Sequence, residues 1–205
     1  MALSIDILEP ASGRPYTQGD ALDWSQPLVF TVAGVLSPSE CEQAIARIDA
    51  LGPTAAPITT PRGFVMRPDI RNNTRAMFDD LALAADLFRR VRDLLPDPLC
   101  ARRPVGVNER FRCYRYDPGQ RFAPHFDGAF ARDPDEASRL TFMVYLNDDF
   151  AGGHTVFHDL GLDVAPRRGL ALLFQHRLLH EGCVLERGTK YVLRTDVMYR
   201  RPAPA

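Results

Sequence analysis

Between Ser37 and Pro53 the chain reads as a helix bounded at both ends. Ser37 stands as N-cap, Pro38 takes the first helical position, and Glu40 closes a capping box three residues on. Cys41, Ala44, Ile45, Ile48 and Leu51 recur at helical spacing until Gly52-Pro53 stops them. A second stripe, Ala84, Leu87, Phe88, Val91 and Leu95, predicts a helix from about Asp80 to Leu95, with Pro96 beyond it. The pattern changes from Val107 onward. Short β-prone runs fall at 110–117, 122–127, 139–147, 154–158, 170–176, 183–186 and 189–199, separated by turn signals such as Asp117-Pro118-Gly119 and Gly152-Gly153. An earlier run covers Leu28 to Val32. Residues 1–27 read as a loosely structured lead-in, 52–76 as a long loop able to serve as a lid, and 202–205 as a disordered tail. A helical front followed by many short strands predicts an antiparallel sandwich or barrel with helices on one side.

Composition narrows the class. At 205 residues with 45% hydrophobic content, one domain with a sizeable core is expected. The formal net charge of -1 supplies no basic field for nucleic acid or an anionic membrane. The N-terminal MALSIDILEP lacks the basic and continuous apolar regions of a secretory signal, and no apolar run is long enough to span a bilayer. Cys41, Cys100, Cys113 and Cys183 are scattered without a CxxC pair, which fits reduced thiols and a cytoplasmic location. Among the basic residues there is a single lysine, Lys190.

The candidate chemistry begins at His125-Phe126-Asp127. On an extended strand, residues two apart face the same way, so this imidazole and carboxylate converge. With a second imidazole they form the ligand set of mononuclear non-haem iron(II) sites. His154, His158, His176 and His180 are the available partners. On the run 189–199, Lys190, Val192 and Arg194 share one face; if it points inward, buried cations there require an anionic partner. Two polar segments could grip a polar or carboxylate-bearing substrate: Arg71-Asn72-Asn73-Thr74-Arg75, of which Arg71, Asn73 and Arg75 are the candidate contacts, and Asp133 to Arg139.

Three stretches, YRYDPGQRFAPHFD (114–127), TFMVYLNDDFAGGHTVF (141–157) and LHEGCVLERGTKYVLRTDVMY (179–199), resemble the iron(II)/2-oxoglutarate dioxygenase superfamily in its prolyl 4-hydroxylase-like branch. The resemblance implies a mainly β (α+β) fold: a double-stranded β-helix, or jelly-roll, at 107–201, with helical and loop support from 1–106. It implies iron(II) held by His125, Asp127 and His180. In that branch a basic residue about ten positions after the distal histidine binds the far carboxylate of 2-oxoglutarate. From His180 that position is Lys190, whereas from His176 it is Glu186, which cannot serve. Tyr145 is implied to hydrogen-bond the same carboxylate, Tyr116 or Tyr114 to line the pocket, and Arg194 to assist or replace Lys190. The acidic residue common after Gly-Gly in the family is His154 here. The implied activity is hydroxylation of an unactivated C–H bond with O2, releasing succinate and CO2, and ascorbate is a candidate reductant. The expected substrate is a peptidyl residue, an amino acid or a small metabolite, without nucleic acid or membrane partners. The rival readings are a non-catalytic jelly-roll that binds or senses a ligand, and a zinc hydrolase, which leaves Lys190 unexplained.

Overall fold

A computed structural model describes residues 3–11, 22–60 and 62–202. The capping box at Ser37 forms as the sequence predicts: Ser37 N donates to Glu40 Oε2 at 2.7 Å and Glu40 N to Ser37 Oγ at 3.3 Å, opening the helix Pro38–Ala50. The second helix is Leu81–Val91, capped by Asp80 through Leu83 N at 3.0 Å, with a 3-10 turn at Arg92–Leu94 completing the expected span. The two helices are tied by ion pairs, Arg47 to Asp80 at 2.6 Å and Arg90 to Glu40 at 2.5 Å.

The strands form two facing layers. The larger sheet runs, in spatial order, Ser4–Ile7, Val29–Ala33, Ala171–Gln175, Glu136–Tyr145, Lys190–Arg200, Arg110–Tyr116, Thr74–Asp79 and Thr54–Ala55, with Arg103–Val107 also paired to Lys190–Arg200. The smaller sheet orders Leu162–Val164, Thr155–Phe157, His180–Gly182 and Phe122–His125. All their pairings are antiparallel. This is the jelly-roll that the resemblance implied.

The central strands of the larger sheet are buried on both faces, and the period of two sorts their side chains. Phe111, Cys113, Leu140, Phe142, Val144, Tyr191, Leu193 and Val197 pack with Ile48, Leu87 and Val91 of the helices. The alternate positions, Met143, Tyr145, Leu172, Phe174 and Val192, meet Phe157, Leu160 and Val164 from the region of the smaller sheet. Polar residues in that second register therefore enter the space between the sheets.

Several expectations need correction. The lead-in is partly ordered, because Ser4–Ile7 pairs with Val29–Ala33 and extends the large sheet. Residues 12–21 and 203–205 of the expected lead-in and tail lie outside the described residues. The 52–76 segment is not a structureless loop: Ile58–Thr60 and Gly63–Val65 make a hairpin, and Thr74–Asp79 lies along Arg110–Tyr116. Its Pro and Gly mark tight turns between strands too short to show their own alternation. The expected 122–127 strand ends at His125, so Asp127 follows two residues beyond it. The expected run 183–186 resolves into His180–Gly182 and Leu185–Arg187. Among the described residues no helix is long and apolar enough to cross a membrane.

Candidate metal centre

His125 and His180 lie directly opposite each other on neighbouring strands of the small sheet. Their ring centroids are 4.2 Å apart. One donor atom from each, with one from Asp127, lie within 4.8 Å of one another, a set able to hold a metal ion. Each histidine has its Nδ1 on a backbone carbonyl two residues back: His125 on Ala123 O at 2.8 Å, His180 on Leu178 O at 3.0 Å. That contact holds the proton on Nδ1 and leaves the Nε2 lone pair for a metal. Burial first, and then its neighbour His180, pushes the His125 imidazole down to about 3. Burial likewise lowers His180. Neutral imidazoles are the form a metal needs. Aromatic packing fixes both rings: Phe122 stacks on His125 at a 3.5 Å centroid separation, and Phe174 meets His180 edge-on at 4.5 Å.

Asp127 is oriented from the opposite sheet. Thr141 Oγ1 donates to its Oδ2 at 2.5 Å, and Arg194 Nη2 lies 3.1 Å from the same oxygen. Burial alone raises the Asp127 carboxyl, but Arg194, His180 and His125 outweigh it and hold the group well below the usual carboxylate range. Arg194 also contacts Asp196 Oδ1 at 3.1 Å, and Arg112 reaches Asp196 at 3.3 Å. His176, a ligand candidate in the sequence, instead sits behind the centre. Its Nδ1 contacts Thr141 Oγ1 at 3.0 Å and its Nε2 contacts Ser138 Oγ at 2.8 Å. His154 and His158 are further off, engaged with Asp163 at 2.7 Å and Glu181 at 2.8 Å.

An inner cavity opens from the triad between the sheets, lined by Tyr116, Thr155, Lys190 and Arg194 among others. Lys190 is only 3% exposed. Its ammonium donates to Gly153 O and lies 5.2 Å and 5.4 Å from the ring centroids of Tyr116 and Tyr145. Gly153 can turn that carbonyl inward because its φ is +66°; a Cβ there would also press on Lys190 Cδ at 3.2 Å. No carboxylate pairs with Lys190 among the described residues, and burial drives its pKa down from 10.5 to about 7. A buried ammonium facing a cavity without a counter-charge fits a ligand carboxylate. Tyr145 Oη donates to Thr155 Oγ1 at 2.7 Å. The structure gives Arg194 two carboxylates of its own, so it is not a second free cation beside Lys190. Asn73, expected at the substrate mouth, is fully buried: its Oδ1 accepts from Arg71 Nε at 2.7 Å and its Nδ2 donates to Thr74 O at 2.8 Å. Arg71 and Arg75 do line an outer groove at the triad.

Thr141, Arg112, Phe122 and Asp196 were not singled out from the sequence. For Thr141 and Arg112 the available signal was the alternation Thr141-Met143-Tyr145 and Arg112-Tyr114-Tyr116, and for Asp196 its place on the face of Lys190 and Arg194; Phe122 had no such signal.

Fold and centre define a jelly-roll protein with a candidate His-Asp-His metal site beside a cavity lined by the buried Lys190. The model of the 2OG-Fe(II) oxygenase superfamily matches residues 111–195. Prolyl 4-hydroxylase 1 of Arabidopsis thaliana is 25% identical over 201 residues, covering 84% of this chain and 69% of the relative. The alpha-2 subunit of prolyl 4-hydroxylase from Gallus gallus is 26% identical over 197 residues, 87% of this chain but 35% of the subunit. Among solved structures, the viral collagen prolyl hydroxylase of Paramecium Bursaria Chlorella virus-1, in its 2OG complex, shares the fold with a TM-score of 0.62 at 22% identity, covering 86% of this chain and 98% of that one. A prolyl hydroxylase from Trichoplax adhaerens, solved with a hypoxia inducible factor peptide fragment, gives 0.61 at 16% identity, with 82% of both chains covered. The family model and the relatives make the chain similar to the 2OG-Fe(II) oxygenase superfamily, in its prolyl 4-hydroxylase-like branch.

Proposed function

We propose that the protein is an iron(II)- and 2-oxoglutarate-dependent hydroxylase acting on a peptidyl residue or a small molecule. The observation that carries this reading is the buried Lys190 ammonium, without a counter-charge, in the cavity that opens from His125, Asp127 and His180. A non-catalytic module has no need for three converging donors next to an anion pocket. A zinc hydrolase leaves the lysine idle.

In this reading His125 Nε2, His180 Nε2 and an Asp127 oxygen hold iron(II). Lys190 takes the far carboxylate of 2-oxoglutarate, with Tyr116 and Tyr145 walling the pocket. When bound, the iron and co-substrate supply the coupled decarboxylation to succinate and CO2 and the hydroxylation of a C–H bond. The chain itself orients and excludes water. Thr141 and Arg194 fix Asp127, backbone carbonyls fix both imidazoles, and Met143, Val192 and Phe122 keep the cavity apolar around its few polar groups. The test is anaerobic addition of iron(II) and then 2-oxoglutarate, followed by oxygen. A visible charge-transfer band and succinate release are expected, and no band under any condition would sink the proposal.

Lys190 gives the binding a pH signature. Its ammonium in the empty cavity has a pKa of about 7, against 10.5 ordinarily, and a carboxylate beside it raises that value again. Above pH 7, therefore, 2-oxoglutarate must bring a proton with it. Affinity is highest below that pH and weakens above it by up to about tenfold per unit. Calorimetry in two buffers of different ionisation heat should show proton uptake at pH 8 that disappears in Lys190→Met. An absence of uptake in the unsubstituted protein removes Lys190 as the anchor.

A further inference from the structure

Two chambers meet at His125 and Asp127, and apart from the shared Arg194 they hold different cations. The inner cavity contains Lys190 but neither Arg71 nor Arg75; the outer groove contains Arg71, Arg75 and Arg177 but not Lys190. His125, Asp127 and Phe122 border both. The outer groove is strongly cationic. Arg112 and Arg194 also line it, but their charge is met by Asp196 and Asp127. None of the ion pairs between described residues involves Arg71, Arg75 or Arg177.

Arg71 is the most constrained of the three. It is only 5% exposed, and its guanidinium lies 4.4 Å from the Tyr114 ring centroid and 4.4 Å from that of Phe122. Its Nε is fixed on Asn73 Oδ1, yet its Nη2 is buried with no hydrogen-bond partner. A buried donor left bare where it borders a groove calls for a ligand atom. Asn73 thus acts as the clamp that points Arg71. Arg75 adds a second cation. Burial lowers it first, Tyr114 opposes that, and the charges of Arg71, Arg112 and Arg194 lower it further. Such crowding of like charge is relieved by an anion.

We propose that Arg71 and Arg75 form an anion subsite of the substrate groove, and that the substrate presents a carboxylate to it. A carboxylate suits the planar guanidinium edge that the two rings leave open. Phe122 stacks on His125 and also flanks Arg71, so the anchored group lies one ring's breadth from the candidate metal ligand. The carboxylate and the carbon to be oxidised therefore belong to the same residue or to near neighbours. This inference rests on the oxygenase reading, but its failure can be told apart from failure of that reading.

The test uses protein loaded with zinc(II) in place of iron and saturated with 2-oxoglutarate, so that the inner anion site is filled. The reporter is the Arg71 Nε–H resonance, protected by its bond to Asn73. One probe set is blocked pentapeptides with a central proline preceded by Glu, Gln or Lys; the other is N-acetylglutamate against N-acetylglutamine. The carboxylate member of at least one set should shift the resonance at a concentration about tenfold or more below its amide, a difference worth roughly 1.4 kcal/mol. Which set responds tells a peptide side chain from a free acid. Arg75→Gln should shrink the preference while 2-oxoglutarate affinity stays unchanged. Equal titration by acid and amide, preference for the Lys peptide, or no shift from any probe overturns the subsite, and the comparison in the unsubstituted protein decides even if Arg75→Gln does not fold. If the iron charge-transfer band is missing as well, the oxygenase reading fails independently.

Discussion

His180→Ala is expected to bring 2-oxoglutarate-dependent succinate release down to background and to erase the iron charge-transfer band. Two donors, His125 and Asp127, would remain where three lie within 4.8 Å. The imidazole also fills space between Phe157 and Phe174, with centroids at 5.7 Å and 4.5 Å, so its truncation leaves a small cavity and some loss of stability. Loss of activity alone could then reflect weaker folding. His176→Ala supplies the comparison. His176 is equally buried, but it reaches the centre through intermediaries, Thr141, which orients Asp127, and Asp196, which pairs with Arg194. A residue acting through such an intermediary typically changes metal affinity or activity about 10–100-fold. The expected result is a band that survives, weakened, in His176→Ala and vanishes in His180→Ala, with thermal melting showing both variants folded. Equal loss in the two would make His180 no more special than its neighbour.

How far the sequence led can be judged at particular residues. The helix at Ser37 was legible because its cap is local chemistry, three residues reaching each other along one turn. The strands beyond Val107 were legible because turn residues bracket them and alternation runs through them. His125 with Asp127 was legible for a partly mistaken reason: the strand ends at His125, and what brings Asp127 inward is Thr141 and Arg194 reaching across from the large sheet. Contacts of that kind join residues far apart in sequence and leave no periodic trace. The strand Thr74–Asp79 was hidden for a related reason. Six residues bordered by turns do not reveal an alternation until a partner strand is known. Asn73, read as a candidate substrate contact, is wholly buried, and a polar residue in a polar cluster gives no sign of that. Arg194 is the clearest case. Its register beside Lys190 correctly pointed it into the interior, but register says nothing of partners, and only the fold reveals the two carboxylates that occupy it.

Those two carboxylates make Arg194→Met the substitution expected to cost the most stability. Arg194 is 7% exposed and Asp196 1%, so neither charge is relieved by bulk water. Removing the cation leaves Asp127 with Thr141 and the histidines, and Asp196 with Arg112 at 3.3 Å. Breaking a buried pair from one side typically costs about 3–5 kcal/mol, because the abandoned charge stays in a poor solvent for it. Against a total stability of about 5–15 kcal/mol, that is enough to unfold a marginal domain. The sign of the metal effect then separates ion pairing from packing. A bound divalent cation supplies Asp127 with the positive charge that the introduced thioether lacks, so metal should restore part of the lost melting temperature in the variant. It should raise the unsubstituted protein less, where Arg194 already compensates the carboxylate. Denaturant unfolding with and without iron(II) or zinc(II) measures both differences. If the metal stabilises the two proteins equally, Arg194 contributes chiefly by filling space, and its contact with Asp127 carries little of the electrostatic load.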